Sequence, residues 1–451
     1  MKVSYESPDK VNGLLTIVIE EDDYKADVEK TLKNYRKKAN IPGFRPGMAP
    51  MGLIKRQYGN AVKVDAINKV LGESIEKYIN DNNINMIGSP LASEKQEPQD
   101  LEKDAPYTFM FDIAVAPEIN VTLDDKDTLD YYEITVDDKI VDDQVNAMAS
   151  RYGKYEEADS FEGNDVLKGD LRELDDKGNT LEGGVTVEGA SIMPAYIKNE
   201  DEKKHFDNAK KGDIITFNPR KAYENDSELA TLLKIEKDKV AEHTGNFSFQ
   251  ITGISHFAKH AVDQELFDEV LGKDAVKSEK EFREKIADQI KEQFKLNADF
   301  KLLQDIEKYA KEKAGQLTFP DSLLKRVLKS NNSKMTDEEI DKQYPASIDA
   351  LTWNLIEGKL AKDNNIKVED KDVKDAAAMM ARMQFAQYGM NNVPDEYVNN
   401  YADELLKKRE NVDNFVQRAL DQKLTEALKG KVKLNKKAIS LDDFNKMMDE
   451  K

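Results

Sequence analysis

The repeat of apolar residues changes character twice along this chain, and that limits the possible folds more than any single motif does. From about Lys259 to the end almost every segment has helical period. Between about Gly153 and Phe257 the apolar runs are short and alternating, and turn signals such as DDKGNTLEGG and KKGD separate them. Ahead of both, strand-like runs (LLTIVIE and YTFMFDIAVAP) enclose helical stretches. No single layered core takes up three such patterns, so the chain is expected to be α+β and multidomain. A length of 451 residues suits about three domains. Hydrophobic residues make up 39% of the chain and charged residues 35%, which favours elongated bodies with much surface over one compact ball.

The expected division is an α/β domain over 1–117, a connector over 118–152, a β-rich domain over 153–257 and an elongated all-helical domain with arms over 258–451. In the first, Tyr24, Val28, Leu32 and Tyr35 recur at helical steps and predict a helix over 22–39. Pro50 suits the first turn of the next helix. A short helix is expected near Met193–Lys198. Near the end, Val412, Val416, Leu420 and Leu424 at steps of four form a sustained apolar stripe.

The segment IPGFRPGMAP, residues 41–50, sets Phe44 and Arg45 between two Pro-Gly pairs. Proline locks φ and glycine admits positive φ, so the segment should be a stiff reversal joining two helices. A ring at such a tip is either folded back into a core or held out for a partner. The surrounding charge bears on that choice. Lys30, Lys33, Arg36, Lys37, Lys38, Arg45, Lys55 and Arg56 fall in one window with no acid, on a chain whose net charge is −20. A cationic patch on an acidic molecule docks on a polyanion while the remainder resists indiscriminate binding; the alternative is a merely solvated helix face.

Conventional catalytic chemistry is thin. There is no cysteine, no phosphate-cradling glycine loop and no G-x-S-x-G, so no cofactor is expected. His256 and His260 are four apart but lack the Glu of H-E-x-x-H, and no metal is expected. MKVSYESPDK has no apolar leader and the longest apolar run is LLTIVI, so a cytoplasmic chain with no membrane contact is expected. In DAAAMMARMQFAQYGM, Met379, Met380 and Met383 sit among alanines. They are either adaptable contacts for irregular, unfolded partners or part of a helix buried all round.

IPGFRPGMAP followed by LIKRQYG resembles the G-F-R-x-G-x-x-P signature of the trigger factor family, and the order of the three patterns matches over essentially the whole chain. The resemblance implies an ATP-independent chaperone that docks at the ribosome exit site, touching an exit-site protein and ribosomal RNA, and shelters nascent polypeptides. Gly43, Phe44, Arg45, Gly47 and Pro50 match its docking signature, while Pro46 and Met48 depart where relatives carry a lysine. It also implies an FKBP-like middle domain, with Ile192, Met193, Tyr196, Tyr223 and Phe247 in the places of a prolyl-isomerase pocket. Leu171 and Leu181 stand where relatives have aromatics, which implies an eroded pocket that binds peptides and leaves catalysis open. The helical remainder corresponds to the family's substrate-cradling arms, with Met379, Met380 and Met383 as client contacts. A homodimer of the free chain stays open, as do isomerisation as the main task and an RNA-binding scaffold.

Overall fold

The computed structural model describes every residue except Ala39, Gly43, Pro46, Asp104, Gly389, Asn391, Asn392 and Lys451. The chain begins with β1 (Lys2–Glu6), β2 (Asn12–Ile19), α1 (Glu21–Lys38), α2 (Met51–Asp81), β3 (Met86–Ala92) and β4 (Tyr107–Val115). Next come β5 (Thr128–Ile134), α3 (Asp138–Arg151), β6 (Lys154–Ala158), β7 (Val166–Glu173), β8 (Thr186–Ile192) and a 3-10 turn over Pro194–Tyr196. The sheet-rich region ends with α4 (Glu200–Lys204), β9 (Ile214–Phe217), α5 (Pro219–Ala222), α6 (Asp226–Leu233) and β10 (Phe247–Ala258). Helices α7 (Gln264–Leu271), α8 (Glu279–Ala314), α9 (Asp321–Asn331), α10 (Asp337–Asp363), α11 (Asp370–Gln387), α12 (Asp395–Leu405) and α13 (Arg409–Lys429) follow. The chain closes with β11 (Lys433–Ile439) and α14 (Leu441–Asp449). Two compact units result: 1–132 with 299–377 and 405–437, and 133–298 with 378–404 and 438–451.

The first unit holds an antiparallel sheet in the order β1-β2-β4-β3. Along β2 burial alternates, and Leu15, Ile17 and Ile19 reach a core with Tyr24 of α1 and Ile67 and Leu71 of α2. Burying each such aliphatic side chain contributes roughly 1.5–3 kcal/mol. Gly13 is forced by packing: a Cβ there would lie 2.6 Å from the Tyr5 ring and 2.7 Å from Ile113. The other sheet face takes α9, whose Leu323 and Leu324, with Phe319 just before the helix, meet Ala114, Ile87 and Leu91. Arg326 of α9 donates to Asp112 at 2.7 Å and to the Ala92 carbonyl at 2.9 Å.

Two expectations, for the connector and for the terminal region, need revision. The connector of 118–152 carries β5 and α3, and the terminal region read as all-helical carries β11, which pairs with β5. Asp127, at the head of β5, accepts from Tyr309 at 2.8 Å and Lys313 at 2.6 Å. Burial opposes its charge, but the Lys313 ammonium and the Asp124 N–H hold its pKa below the usual range. Lys429 donates to Asp299 at 2.5 Å and lies 4.1 Å from the Tyr131 ring centre. The segment is thus fastened to α8 and α13 rather than spanning open space. On α13 itself the buried residues are Phe415, Ala419, Leu424, Thr425 and Leu428, whereas Val416 is exposed. Steps of four advance about 40° per step around a helix of 3.6 residues per turn, so a row of four-residue steps winds off any one face.

The second unit holds the sheet β6-β10-β7-β8, with β9 pairing to β10. Its core gathers Leu167, Leu171, Ile192, Phe206, Phe217, Phe247 and Phe249. A separate cluster joins α3, α7 and the start of α8, where Phe267 and Phe282 stack with ring centres 4.6 Å apart.

Candidate functional site

The reversal at 41–50 is held at its base and open at its tip. Ile41 and Ala49 are buried against Leu32, Ile54 and Val62, so both ends of the turn are pinned between α1 and α2. The Phe44 N–H donates to Ile41 at 3.0 Å and the Met48 N–H to Arg45 at 2.9 Å, closing two successive turns. Gly47 has φ +83°, a left-handed value that a side chain adopts only with strain. Pro50 is extended and caps α2 from outside the helix, one residue earlier than its expected place in the first turn. Gly43 lies outside the described residues.

Phe44 is 41% exposed and Met48 67%, so the ring stands out from the turn rather than returning to a core. Lys37, Lys38, Arg45, Lys55 and Arg56 are exposed around it, with Arg36 half-buried. Of the eight cations in the window, only Lys33 is in an ion pair among the described residues, with Glu29 at 3.9 Å. Three acids (Glu21, Asp22, Asp23) stand in the first turn of α1 and Arg36, Lys37 and Lys38 in its last, each at the end of the helix dipole that favours it. The dipole therefore supports a positive pole at the tip.

The five residues expected to line an isomerase pocket do not share one exposed surface. Ile192 and Phe247 have no solvent contact and belong to the core of the β-rich domain, as does Leu171. Tyr196 is 71% exposed on its 3-10 turn, Met193 is half-buried beside it, and Leu181 is exposed. Tyr223 packs at the core edge; burial, with the Glu228 charge adding to it, pushes its hydroxyl up to about 12, so it stays a proton donor at neutral pH. The two histidines weighed as a metal pair are separated in role. His256, on β10, contacts Asp165 at 2.5 Å, and His260 contacts the Ala261 carbonyl at 2.8 Å, so they do not share a helix face.

On α11, Met379 and Met383 are exposed and Met380 is half-buried, while Ala381 is fully buried. The helix therefore presents its thioethers and is not buried all round. Sequence reading missed their neighbours: Tyr388, Met390, Tyr397 and Tyr401 are also exposed, Tyr388 by 82%. Arg382 bonds Asp395 at 2.7 Å, Tyr401 donates to Gln384 at 2.8 Å, and the Phe385 and Tyr401 rings lie 5.4 Å apart. These contacts clamp α11 to α12 and hold the apolar patch in place. The spacing of Tyr397 and Tyr401, four apart on α12, was the available signal.

An open cationic tip, a small sheet-rich domain and an exposed methionine-tyrosine patch are the surfaces of a binding protein. Comparison with known families agrees. Residues 1–148 match the bacterial trigger factor protein model, 155–259 the probable trigger factor FKBP-like domain, and 298–448 the probable trigger factor C-terminal domain. The chain belongs to the trigger factor family, whose members are ribosome-associated chaperones. It is 22% identical to the trigger factor of Pelagibacter ubique (strain HTCC1062), over 100% of this chain and 90% of that one. It is 23% identical to that of Chlorobaculum tepidum, over 96% and 97% of the two chains. A solved structure concerned with promiscuous substrate recognition by the trigger factor chaperone aligns over 95% of this chain and 99% of its own, with a TM-score of 0.49 and 14% identity. No helix of the described residues is long and apolar enough to cross a membrane.

Proposed function

We propose that the tip is the ribosome anchor, with Phe44 seated on an exit-site protein and Arg45 paired to phosphate or carboxylate. Arg45 and the exposed cations of α1 and α2 supply the salt-sensitive part of binding to ribosomal RNA. Gly47 and Pro50 set the shape of the bend, and Gly43 completes the signature. The observation carrying this reading is an exposed aromatic on a pinned turn amid cations of which, among the described residues, only Lys33 has an ion-pair partner. Such a ring is an anchor of the kind that dominates binding energy.

Residues 1–117 dock, 153–257 form the FKBP-like domain and 258–451 hold clients. Met379, Met380 and Met383, with Tyr388 and Tyr397 beside them, take unfolded segments, since unbranched thioethers conform to irregular apolar surface. Retention rests on area and weak multiple contacts, so no ATP is consumed and the client leaves as it buries its own apolar groups. The same patch is available to a second copy, giving a homodimer of the free chain, and the setting is the cytoplasm. In the FKBP-like domain the sealed Ile192 and Phe247 favour peptide contact through Tyr196 and Met193 with little catalysis.

The test is Phe44→Ala with Arg45→Ala. Cosedimentation with ribosomes is lost, and the thermal melt and suppression of aggregation stay unchanged. Retained cosedimentation, or a large fall in melting temperature, overturns the assignment.

A further inference from the structure

The FKBP-like domain has an open sheet edge at β9, beside a cavity of about 580 Å³ that no residue of the expected isomerase pocket lines. Among the described residues strand β9 pairs with β10 alone, setting Ile215 opposite Phe249 and Phe217 opposite Phe247. Backbone groups in an antiparallel strand point alternately to its two sides. On β10 the odd-numbered residues bond toward β9, as in Ile251 N–H to Asp213 at 2.9 Å. Even-numbered ones turn toward β7, the carbonyl of Asn246 accepting from Leu174 at 2.9 Å. Ile215 and Phe217 therefore spend their groups on β10, and those of Ile214 and Thr216 face outward. Both residues are exposed, Ile214 by 65%. The next outward N–H, that of Asn218, is taken by the Glu202 carboxylate at 2.7 Å, as a neighbouring strand would take it. Glu202 is 8% exposed and its other oxygen takes no donor among the described residues, although the side chain lines the cavity.

We infer that the outer edge of β9 and this cavity form a site for an extended segment of unfolded polypeptide, added as a strand. The inference rests on the reading of this chain as a holder of unfolded chains. The lining mixes Glu202, His205, Lys221, Asn218 and Asn246, so no single sign of charge is favoured. That argues against a polyanion and for a ligand offering N–H and C=O in alternation, which is what a backbone provides. Ile214 supplies the apolar contact for one side chain of the added strand, and Glu202 ends the register.

The test uses the full chain and a fluorescein-labelled peptide of alternating threonine and valine, with a second peptide N-methylated at alternate residues. Thr216→Pro removes an outward N–H that β10 does not use, a position where an edge strand tolerates proline. Thr216→Val keeps that N–H. Wild type and Thr216→Val are expected to bind alike, while Thr216→Pro weakens binding about five- to tenfold. The N-methylated peptide is expected to bind wild type more weakly by a similar factor. Equal affinity of a folded Thr216→Pro chain overturns the site. So does equal affinity of the N-methylated peptide for wild type, which decides the matter even if the proline variant does not fold. Loss of self-association in light scattering without a change in peptide affinity assigns the edge to a second copy and likewise overturns it. Throughout, ribosome cosedimentation and aggregation suppression by wild type report separately on the chaperone reading.

Discussion

Phe44 and Phe247 are both aromatic residues assigned to function on sequence pattern, and the structure puts them in opposite circumstances. Phe44 stands on a turn whose ends are buried and whose crest is not. Phe247 sits in the middle of a sheet, opposite Phe217 and Glu173, with no solvent contact. The difference teaches that a motif spanning Pro-Gly pairs constrains backbone direction, and so exposure, whereas an aromatic in a strand declares only which face it is on. Which face meets solvent is decided by distant segments.

Substitutions at both kinds of place sharpen this contrast. The largest effect is expected at the sealed position: Phe247→Ala should destabilise the FKBP-like domain by about 3–5 kcal/mol, read as an early transition in denaturant unfolding. A cost under about 1 kcal/mol would mean the core collapses around the gap and the contrast with Phe44 fails.

A sealed carboxyl in the other unit behaves differently again. Glu357 is 2% exposed, and Gln417 donates to both its oxygens at 3.0 and 2.9 Å. Burial, with a hydrogen bond to Asp421 next in size, pushes its pKa up to about 7. The unfolded chain releases that proton near the ordinary value of about 4.3. Between the two the folded state binds more protons, so this group's contribution to stability falls as pH rises through that window and levels off above it. Glu357→Gln mimics the protonated form and should raise stability on the order of 2 kcal/mol at about pH 8, with much less effect near pH 5. Thermal melts at the two values decide it.

At the tip the expected effects shrink. Gly47→Ala places a side chain at φ +83° with nothing within 4 Å to clash, so the cost is strain alone, about 1 kcal/mol. Ribosome affinity should fall more than stability, because the bend aims Phe44. Smallest of all, Phe44→Ala should change the melt by less than about 0.5 kcal/mol, the ordinary range for a surface change. If it instead approaches the Phe247→Ala value, the ring is structural.

Much of this was legible from residues alone. The alternation of LLTIVIE became β2, with its apolar set on one face, and the Pro-Gly bracket became a reversal with an outward ring. The exceptions share a cause. Strand β3 is interrupted by Gly88 and Pro90, features suited to an edge, and its register shifts between Ile87 and Leu91. The pairing of β5 with β11 joins segments far apart in the sequence (Thr135 bonds Ile439, 304 residues on), so no turn between them announces it. The apolar patch of Tyr388, Met390 and Tyr397 looks, one residue at a time, like any helix surface, and only the clamp between α11 and α12 gathers it. Local chemistry was readable; partners distant in sequence were not.

The sheet that carries the tip belongs to a unit assembled from three separated stretches, the last ending at residue 437. While the chain is being synthesised, the face of β4 that receives α9 and the strand that receives β11 wait, unpartnered, for sequence not yet made. A protein that shelters others during their birth thus closes this unit of its own only once residue 437 has emerged.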